Sequence, residues 1–197
     1  MRLPLAFVAA LFLTSCAYHV HQTRPGFLLG DDFPAAWGNL VNTAQCSNLA
    51  GKYDAFGEVS YVFSPSGVYK PNQSHISDVF SVPSKDYWKM YRKRKAWQSF
   101  TLSWKGADTA AFFGELGWEF PIEISASCVD GWLTVRVPKS GGFSEGALRE
   151  FEATYLVGKV SDGSLAVRVD YIHGTSSFWG AFRTKDSVVY WVKFNAL

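Results

Sequence analysis

Apolar and polar residues alternate with period two along several stretches of this chain, which is the pattern of half-buried β-strands. In SFTLSW, Phe100, Leu102 and Trp104 fall on one face. Segments rich in Gly, Pro, Asp and Ser separate the stretches, so the pattern predicts roughly eight to ten antiparallel strands. The clearest stretches are EVSYVFS (58–64), DVFSV (78–82), SFTLSW (99–104), FEATYLV (151–157), SLAVRVDY (164–171) and VVYWVKF (188–194).

Two predicted strands begin with the same pattern, Asp-Gly-x-Leu-x-Val-Arg-Val, at Asp130 and Asp162. Asp-Gly favours a tight hairpin, because both central residues of a type I′ turn need positive φ. Each copy predicts a turn that enters a strand with Leu and Val inward and Arg136 or Arg168 outward. Either internal duplication or shared hairpin physics explains the echo.

The signals for helices and for the last hairpin complete the fold prediction. Asp32-Phe33-Pro34 predicts a short helix to about Ala44 with Asp32 near its N-cap, and Ser84 is a candidate cap for a second one. The polar segment RTKDS (183–187) is predicted to turn between a strand at 177–182 and the strand at 188–194. The predicted fold is mainly β: an antiparallel up-and-down meander forming a barrel or a cupped two-layer sheet, with one or two short helices.

The first sixteen residues have the features of an exported precursor. Residues 3–13 carry no charge, but a membrane-spanning helix needs roughly 20 apolar residues, so this run is typical of a signal peptide. It ends on Leu13-Thr14-Ser15-Cys16, which resembles the lipobox of bacterial lipoprotein precursors. The resemblance implies that Cys16 becomes the new N-terminus and is acylated. An ordinary secreted protein with a coincidental cysteine is the alternative.

The same resemblance implies the domain organisation and the location. It gives a signal peptide (1–15), a lipidated tether (16–30) and a single antiparallel β domain (31–197). Two or three acyl chains hold a protein stably on a membrane, so the membrane is the expected partner. Ala17 replaces the Asp that retains such proteins in the inner membrane, which implies the outer membrane, facing the periplasm; surface exposure stays open. Removing Arg2 with the leader lowers the formal charge from +2 to +1.

The two remaining cysteines, Cys46 and Cys128, permit one disulfide in an oxidising compartment. Two buried free thiols are the alternative. Two isolated cysteines are too few for a thiolate metal site.

The sequence offers no clear catalytic or cofactor chemistry. His19 and His21 lie in the predicted tether and supply too few ligands for a defined metal site. His75 and His173 are predicted in surface loops, and no nucleophile-elbow, zinc-protease, Walker or dinucleotide motif stands in a suitable context. Turn-like glycine segments occur at Ser140-Gly141-Gly142 and Gly174-Thr175, and the acidic pairs are predicted on outward faces. We expect no cofactor and no metal, and a protein that is not an enzyme.

Positive charge is concentrated between Lys85 and Trp97, which hold six basic residues and one acid. Tyr and Trp flank these cations, and such a segment suits an anionic lipid surface. A solvated surface segment is the alternative, and nucleic acid is not an expected partner of a tethered periplasmic protein. The candidate residues for anionic-surface binding are Lys89, Arg92, Lys93, Arg94 and Lys95.

Aromatic residues make up 17% of the chain, more than the filling of a core alone requires. Gly51-Lys52-Tyr53 is similar, at three residues, to the Gly-x-Trp of lipocalins, with Tyr in place of Trp; this similarity favours a barrel over a sandwich. One hypothesis is therefore a monomeric binding protein that holds an apolar or amphipathic ligand in its β fold. The alternative is an envelope interaction protein that contacts or inhibits another protein through a surface patch.

Overall fold

Two antiparallel β-sheets pack face to face in the computed structural model of this chain. The structure describes residues 19–20, 32–41, 45–65, 71–80, 92–104, 109–114, 117–129, 132–144, 147–177 and 182–197. The prediction of a mainly β, antiparallel fold is confirmed. The sheets do not close into a barrel in this part of the chain, so of the two predicted architectures the cupped two-layer sheet is the observed one.

The larger sheet combines long and short strands. They are β1 (His19–Val20), β2 (Leu40–Val41), β4 (Phe56–Phe63), β5 (Gln73–His75), β9 (Ser127–Val129), β10 (Trp132–Ser144), β11 (Ala147–Val160), β12 (Leu165–Ser177) and β13 (Phe182–Phe194). The four long strands β10 to β13 form a meander, each hydrogen-bonded to the next. Shorter strands extend it on both sides, in the order β5-β4-β13-β12-β11-β10-β9, and β1 and β2 pair with β13 and β11.

The smaller sheet consists of β3 (Gly51–Asp54), β6 (Ser99–Trp104), β7 (Thr109–Gly114) and β8 (Gly117–Ser125). These strands pair in the order β3-β6-β7-β8. Two 3-10 helices, Ala35–Trp37 and Cys46–Leu49, and one α-helical turn, α1 (Ile76–Val79), are accompanied by a helical segment at 92–94.

The main core lies between the two sheets and is rich in aromatic rings. Phe100 of β6 contacts Phe194 of β13 edge to face at 5.4 Å between ring centroids, and Phe80, after α1, lies 4.8 Å from Tyr155 of β11. The inward residues of β6 are those that the period-two alternation predicted, since Phe100 and Leu102 are buried and Thr101 between them is exposed. Burial of these faces against each other stabilises the sandwich.

The opposite face of the large sheet, its back face, is covered by residues 32–41, which we call the strap. Trp37 of the strap packs with Val160, Ala166 and Trp191 in a second buried cluster. Phe33 approaches the Trp191 ring edge to face at 5.0 Å. The central strands are therefore buried on both faces, which a two-layer sandwich alone would leave open on one side.

An ion pair fastens the strap to the sheet. Arg168 of β12 donates from Nε and Nη2 to the carboxylate of Asp32 at distances of 2.7 to 3.1 Å, and Trp191 donates from Nε1 to the same carboxylate at 2.8 Å. Arg168 is 1% exposed, and Asp170 lies 3.8 Å from its Nη1. A buried guanidinium is tolerated only with such partners, so Asp32 makes the position of Arg168 possible.

This arrangement corrects two predictions. Arg168 was predicted outward, but the strap covers the back face and the side chain is buried; Arg136, at the matching place in the other copy, is exposed as predicted. Where the structure describes it, at residues 32–41, the helix predicted from Asp32 to Ala44 is only the 3-10 turn Ala35–Trp37, followed by β2, because Asp32 binds Arg168 instead of capping a helix.

The hairpin predictions are partly right. In the turn between β11 and β12, Gly163 has the expected positive φ, 89°. Its N–H donates to the Val160 carbonyl, so the central residues of the turn are Ser161 and Asp162. The turn is therefore not the predicted two-residue type with Asp162 and Gly163 at its centre. Asp130 and Gly131 lie outside the described residues. The segment RTKDS is not a turn, since it lies inside β13.

Three more segments differ from the sequence prediction. The strand predicted at 78–82 is wrong where the structure describes it, because Asp78 and Val79 end α1. Gly141-Gly142 and Gly174-Thr175, which look like turns, lie within β10 and β12. The long strands continue through these residues because neighbouring strands supply hydrogen bonds there.

The predicted disulfide is confirmed, since Cys46 and Cys128 are bonded. It joins the 3-10 helix before the small sheet to β9 at the end of the large sheet. The bond spans 82 positions, for which the chain-entropy model gives about 4.5 kcal/mol of stabilisation.

Asp32→Asn should show what the strap ion pair contributes. Asn keeps an acceptor for Trp191 but leaves the buried Arg168 charge with only the carboxylate of Asp170, 3.8 Å away. The free energy of unfolding should therefore fall by about 2–4 kcal/mol, less than for a fully buried pair that loses its sole partner, because Asp170 remains and Asp32 is 22% exposed. Urea denaturation measures the change. The control Glu152→Gln removes an exposed carboxylate from β11 and should change stability by less than about 0.5 kcal/mol; equal losses in the two variants would contradict the assignment.

Candidate functional site

The burial of β12 changes abruptly along its length. Residues 165–170 are all buried, whereas residues 171–176 are all partly exposed, although the strand keeps its hydrogen-bonded partners throughout. The main core cluster reaches Tyr171 and Tyr190 and includes none of the described residues beyond them on β10 to β13. We call the parts of these strands beyond that level, residues 140–144, 147–152, 172–177 and 182–187, the extension.

A row of aromatic side chains lies where the core gives way to the extension, on the face that also carries the core. We call Tyr61, Phe151, Tyr171 and Tyr190 the aromatic shelf. The Phe151 and Tyr171 rings are stacked at 6.4 Å with an interplanar angle of 20°, and Tyr61 lies 5.6 Å from Tyr190, its cross-strand partner. All four are partly exposed, so the shelf presents ring surface to solvent beside a dry core.

The hydroxyls of Tyr155, Tyr171 and Tyr190 stay protonated. Burial raises the pKa of Tyr155, Tyr171 and Tyr190 above the ordinary value of 10.0, and the neighbouring hydroxyls of Tyr155 and Tyr61 add to the effect on Tyr190. Neutral phenols act as hydrogen-bond donors and acceptors without adding charge. The shelf is therefore apolar in its rings and weakly polar at their ends.

Charged groups border the shelf on two sides. Lys95 forms an ion pair with Asp78, whose carboxylate also contributes to the raised pKa of Tyr190. On the extension, His173 pairs across the strands with Phe151 on one side and Asp186 on the other. A ligand lying on the rings would thus meet polar groups at its ends.

His75 is buried and bonded, which corrects the prediction of a surface loop. It caps α1 and is 1% exposed. Nε2 donates to the Trp97 carbonyl at 3.1 Å, because a carbonyl can only accept. Nδ1 then accepts from the Ser77 backbone N–H at 3.2 Å and the Ser77 hydroxyl at 2.7 Å. This Ser–His pair has the contacts of a catalytic dyad but no access for a substrate, since Ser77 is 2% exposed.

The predicted anionic-surface residues are distributed over different environments. Arg92 and Lys93 are exposed in the helical segment 92–94, Arg94 donates to the Pro121 carbonyl, and Lys95 is held by Asp78. Lys89 lies outside the described residues, as does Cys16. A role of this segment at an anionic surface stays a prediction.

The described residues contain no group of three or more His, Cys, Asp or Glu side chains placed to hold a metal ion. None of the helices in the described ranges is long and apolar enough to cross a membrane.

No family model, curated protein or solved structure matches this chain. The functional conclusion therefore rests on the residues themselves. The Gly51-Lys52-Tyr53 segment, similar to a lipocalin motif, has a structural part: Tyr53 is 1% exposed and donates to the Leu49 carbonyl at 2.7 Å.

Sequence reasoning found the abundance of aromatic residues but not the shelf. Tyr61, Phe151, Tyr171 and Tyr190 come from four strands and meet only through the pairing register. The strand alternation puts each of them inward, which gives no sign that the core cluster ends at their level.

The bonding of His75 predicts an acid-sensitive fold. Burial lowers the pKa of His75 below its ordinary value of 6.5, and Lys95 acts in the same direction, against the Trp97 carbonyl and Asp78. Between the folded pKa and the unfolded one, only the unfolded chain binds the proton. The free energy of unfolding should therefore fall as the pH is lowered below about 6.5, and less steeply in His75→Asn, which keeps the capping oxygen.

Urea denaturation at a series of pH values measures this dependence. His173→Asn, which removes the partly exposed histidine of β12, is the control and should keep the slope of the unmodified protein. If the slope persists in His75→Asn and disappears in His173→Asn, the acid sensitivity comes from His173, and the assignment to His75 is wrong.

Proposed function

We propose that this protein is a lipid-anchored, non-enzymatic binding protein of the outer membrane, facing the periplasm, and that it holds an apolar or amphipathic ligand on the aromatic shelf. One observation carries the proposal: two pairs of partly exposed rings, Tyr61 with Tyr190 and Phe151 with Tyr171, lie on four strands at the margin of the core, on a sheet that continues beyond it. Contiguous apolar surface of this kind on a protein marks a place where a ligand or partner is held.

The chemistry of the shelf favours a ligand with both apolar and polar parts. Stacked and tilted rings offer dispersion contacts and release ordered water when covered. The protonated phenols of Tyr171 and Tyr190 can hydrogen-bond a polar group, and the ion pair of Asp78 and Lys95 lies beside them. A purely ionic ligand would gain little from such a surface.

A binding role rather than catalysis is supported by the burial of the Ser77–His75 pair. A nucleophile must reach its substrate, and both side chains are enclosed in the core, at the start of α1. The shelf itself holds phenols and a ring hydrocarbon, which are binding groups.

The envelope location is supported by two independent features. The lipobox-like sequence ends on Cys16, and acylation there would supply the membrane anchor. The disulfide between Cys46 and Cys128 suits an oxidising compartment such as the periplasm.

The second candidate function, contact with another envelope protein, is favoured by β9. This strand ends the large sheet in the described part of the chain, all three of its residues are exposed, and Val129 is 50% exposed. An edge strand can accept a strand of a partner by backbone pairing.

Binding of N-phenyl-1-naphthylamine, an apolar fluorophore, tests the shelf. The full chain carrying Cys16→Ser should enhance its fluorescence, and Tyr171→Ala should weaken that binding by roughly tenfold, since one ring contact is worth about 1 kcal/mol or more. Tyr171→Phe keeps the stack on Phe151 and should retain most of the affinity.

Val129→Ala is the matched control, because it shortens an exposed apolar side chain on β9, away from the shelf. It should leave fluorophore binding unchanged. Loss of binding in the Val129 variant, with none in Tyr171→Ala, would move the site to β9 and favour the second function.

A further inference from the structure

The two ends of the large sheet are distinct, and the pairing register fixes which residues lie at each. At one end, Ser144 pairs with Ala147, Ala147 with Ser177, and Ser177 with Phe182. We call this the hairpin end, because the β10–β11 and β12–β13 connections both lie there. At the opposite end, Leu165 pairs with Phe194, and we call this the turn end. The length of β12 separates the two ends, about 40 Å at the usual rise of a strand.

The N-terminal segment joins the sheet near the hairpin end. His19 pairs with Thr184 and Val20 with Lys185, so β1 lies beside the first residues of β13. The pairing is parallel, so β1 runs in the same direction as β13, with His19 on the side of the hairpin end and Val20 on the side of the turn end. The strap then fixes the chain a second time, at Asp32 and Arg168.

The chain between β1 and the candidate lipid site is short. Three positions separate Cys16 from His19, a reach of about 10 Å at full extension. Phe194, at the turn end, lies ten strand residues from Thr184, about 33 Å away. Cys16 is therefore confined to the neighbourhood of the hairpin end and cannot reach the turn end.

We propose that the hairpin end of the large sheet faces the phospholipid surface in which the acyl chains of Cys16 are inserted. This inference rests on the proposed function, which makes Cys16 the lipid carrier. It adds a fixed orientation. The N-terminal segment is attached to the large sheet twice, by the pairing of β1 with β13 and by the ion pair of Asp32 with Arg168. These attachments hold the sheet with its strands directed away from the membrane.

The composition of the hairpin end agrees with contact at a lipid surface. The sequence from Ser177 to Phe182 carries no charge, and the sequence from Gly141 to Gly146 carries one, at Glu145. Behind this end, the extension carries three cations, Arg149, Arg183 and Lys185, and three acids, Glu150, Glu152 and Asp186. A sparsely charged end with no net charge just behind it can approach the headgroups of a phospholipid surface without strong repulsion.

The orientation places the aromatic shelf between the core and the membrane. Tyr171 lies six residues from Ser177 on β12, about 20 Å from the hairpin end. An amphipathic ligand that leaves the bilayer would therefore meet the extension first and the shelf next.

Fluorescence quenching by spin-labelled phospholipids tests the orientation. The lipidated mature protein is incorporated in phosphatidylcholine–phosphatidylglycerol vesicles with a bimane label at Thr184→Cys or, as matched control, at Asn195→Cys, which is exposed beside the turn end. The label at position 184 should be quenched several-fold more strongly than the label at position 195. Equal quenching at both positions, or stronger quenching at 195, would overturn the inference.

Two further measurements separate this inference from the proposed function. Mass spectrometry of the mature N-terminus reports acylation of Cys16: an unmodified Cys16 defeats the anchor itself, whereas an acylated Cys16 with equal quenching defeats only the orientation. Val20→Pro removes a backbone donor from β1 and should reduce the difference between the two labels if the β1 pairing sets the orientation. An undiminished difference in that variant would contradict the role given to β1.

Discussion

A central strand that is buried on both faces is the constraint on which this structure depends. Residues 165–170 at the start of β12 are all buried, and a sheet in that position needs cover on each side. The small sheet supplies one cover through Phe100 and its neighbours, and the strap supplies the other through Trp37. The strap can lie there because Asp32 compensates the guanidinium of Arg168, a charge that burial would otherwise make costly.

Beyond the part of β12 that is buried on both faces, side chains of the same strand become accessible to solvent. Past Tyr171, β12 keeps its backbone pairing but leaves the core between the sheets, so its side chains are partly exposed. The rings at that boundary would be core residues if the sandwich were longer, and at the boundary they form the surface for which we propose ligand binding. The proposed function thus follows from a mismatch in length between the two sheets.

The sequence predicts those features that depend on local alternation. SFTLSW and the pairing of FEATYLV with SLAVRVDY are found as predicted, because inward and outward positions show directly in the order of residues. RTKDS looked like a turn because polar residues crowd together, yet a strand that runs beyond the core accepts such residues. Arg168 and His75 were predicted outside because their partners, Asp32 and Trp97, lie far away in the chain and no local pattern announces them. The shelf required the register of four strands, which alternation alone does not give.

Amide hydrogen exchange along β12 tests the division of this sheet most directly. On both sides of Tyr171, β12 is paired with β11 and with β13. A difference in exchange rate between the two parts of β12 therefore reports how each part is covered, and not how it is paired. The account predicts that amides of residues 165–170 exchange only through global unfolding, whereas those of residues 172–177 exchange faster through local opening. Uniform protection along the whole strand, or slower exchange in residues 172–177, would contradict it.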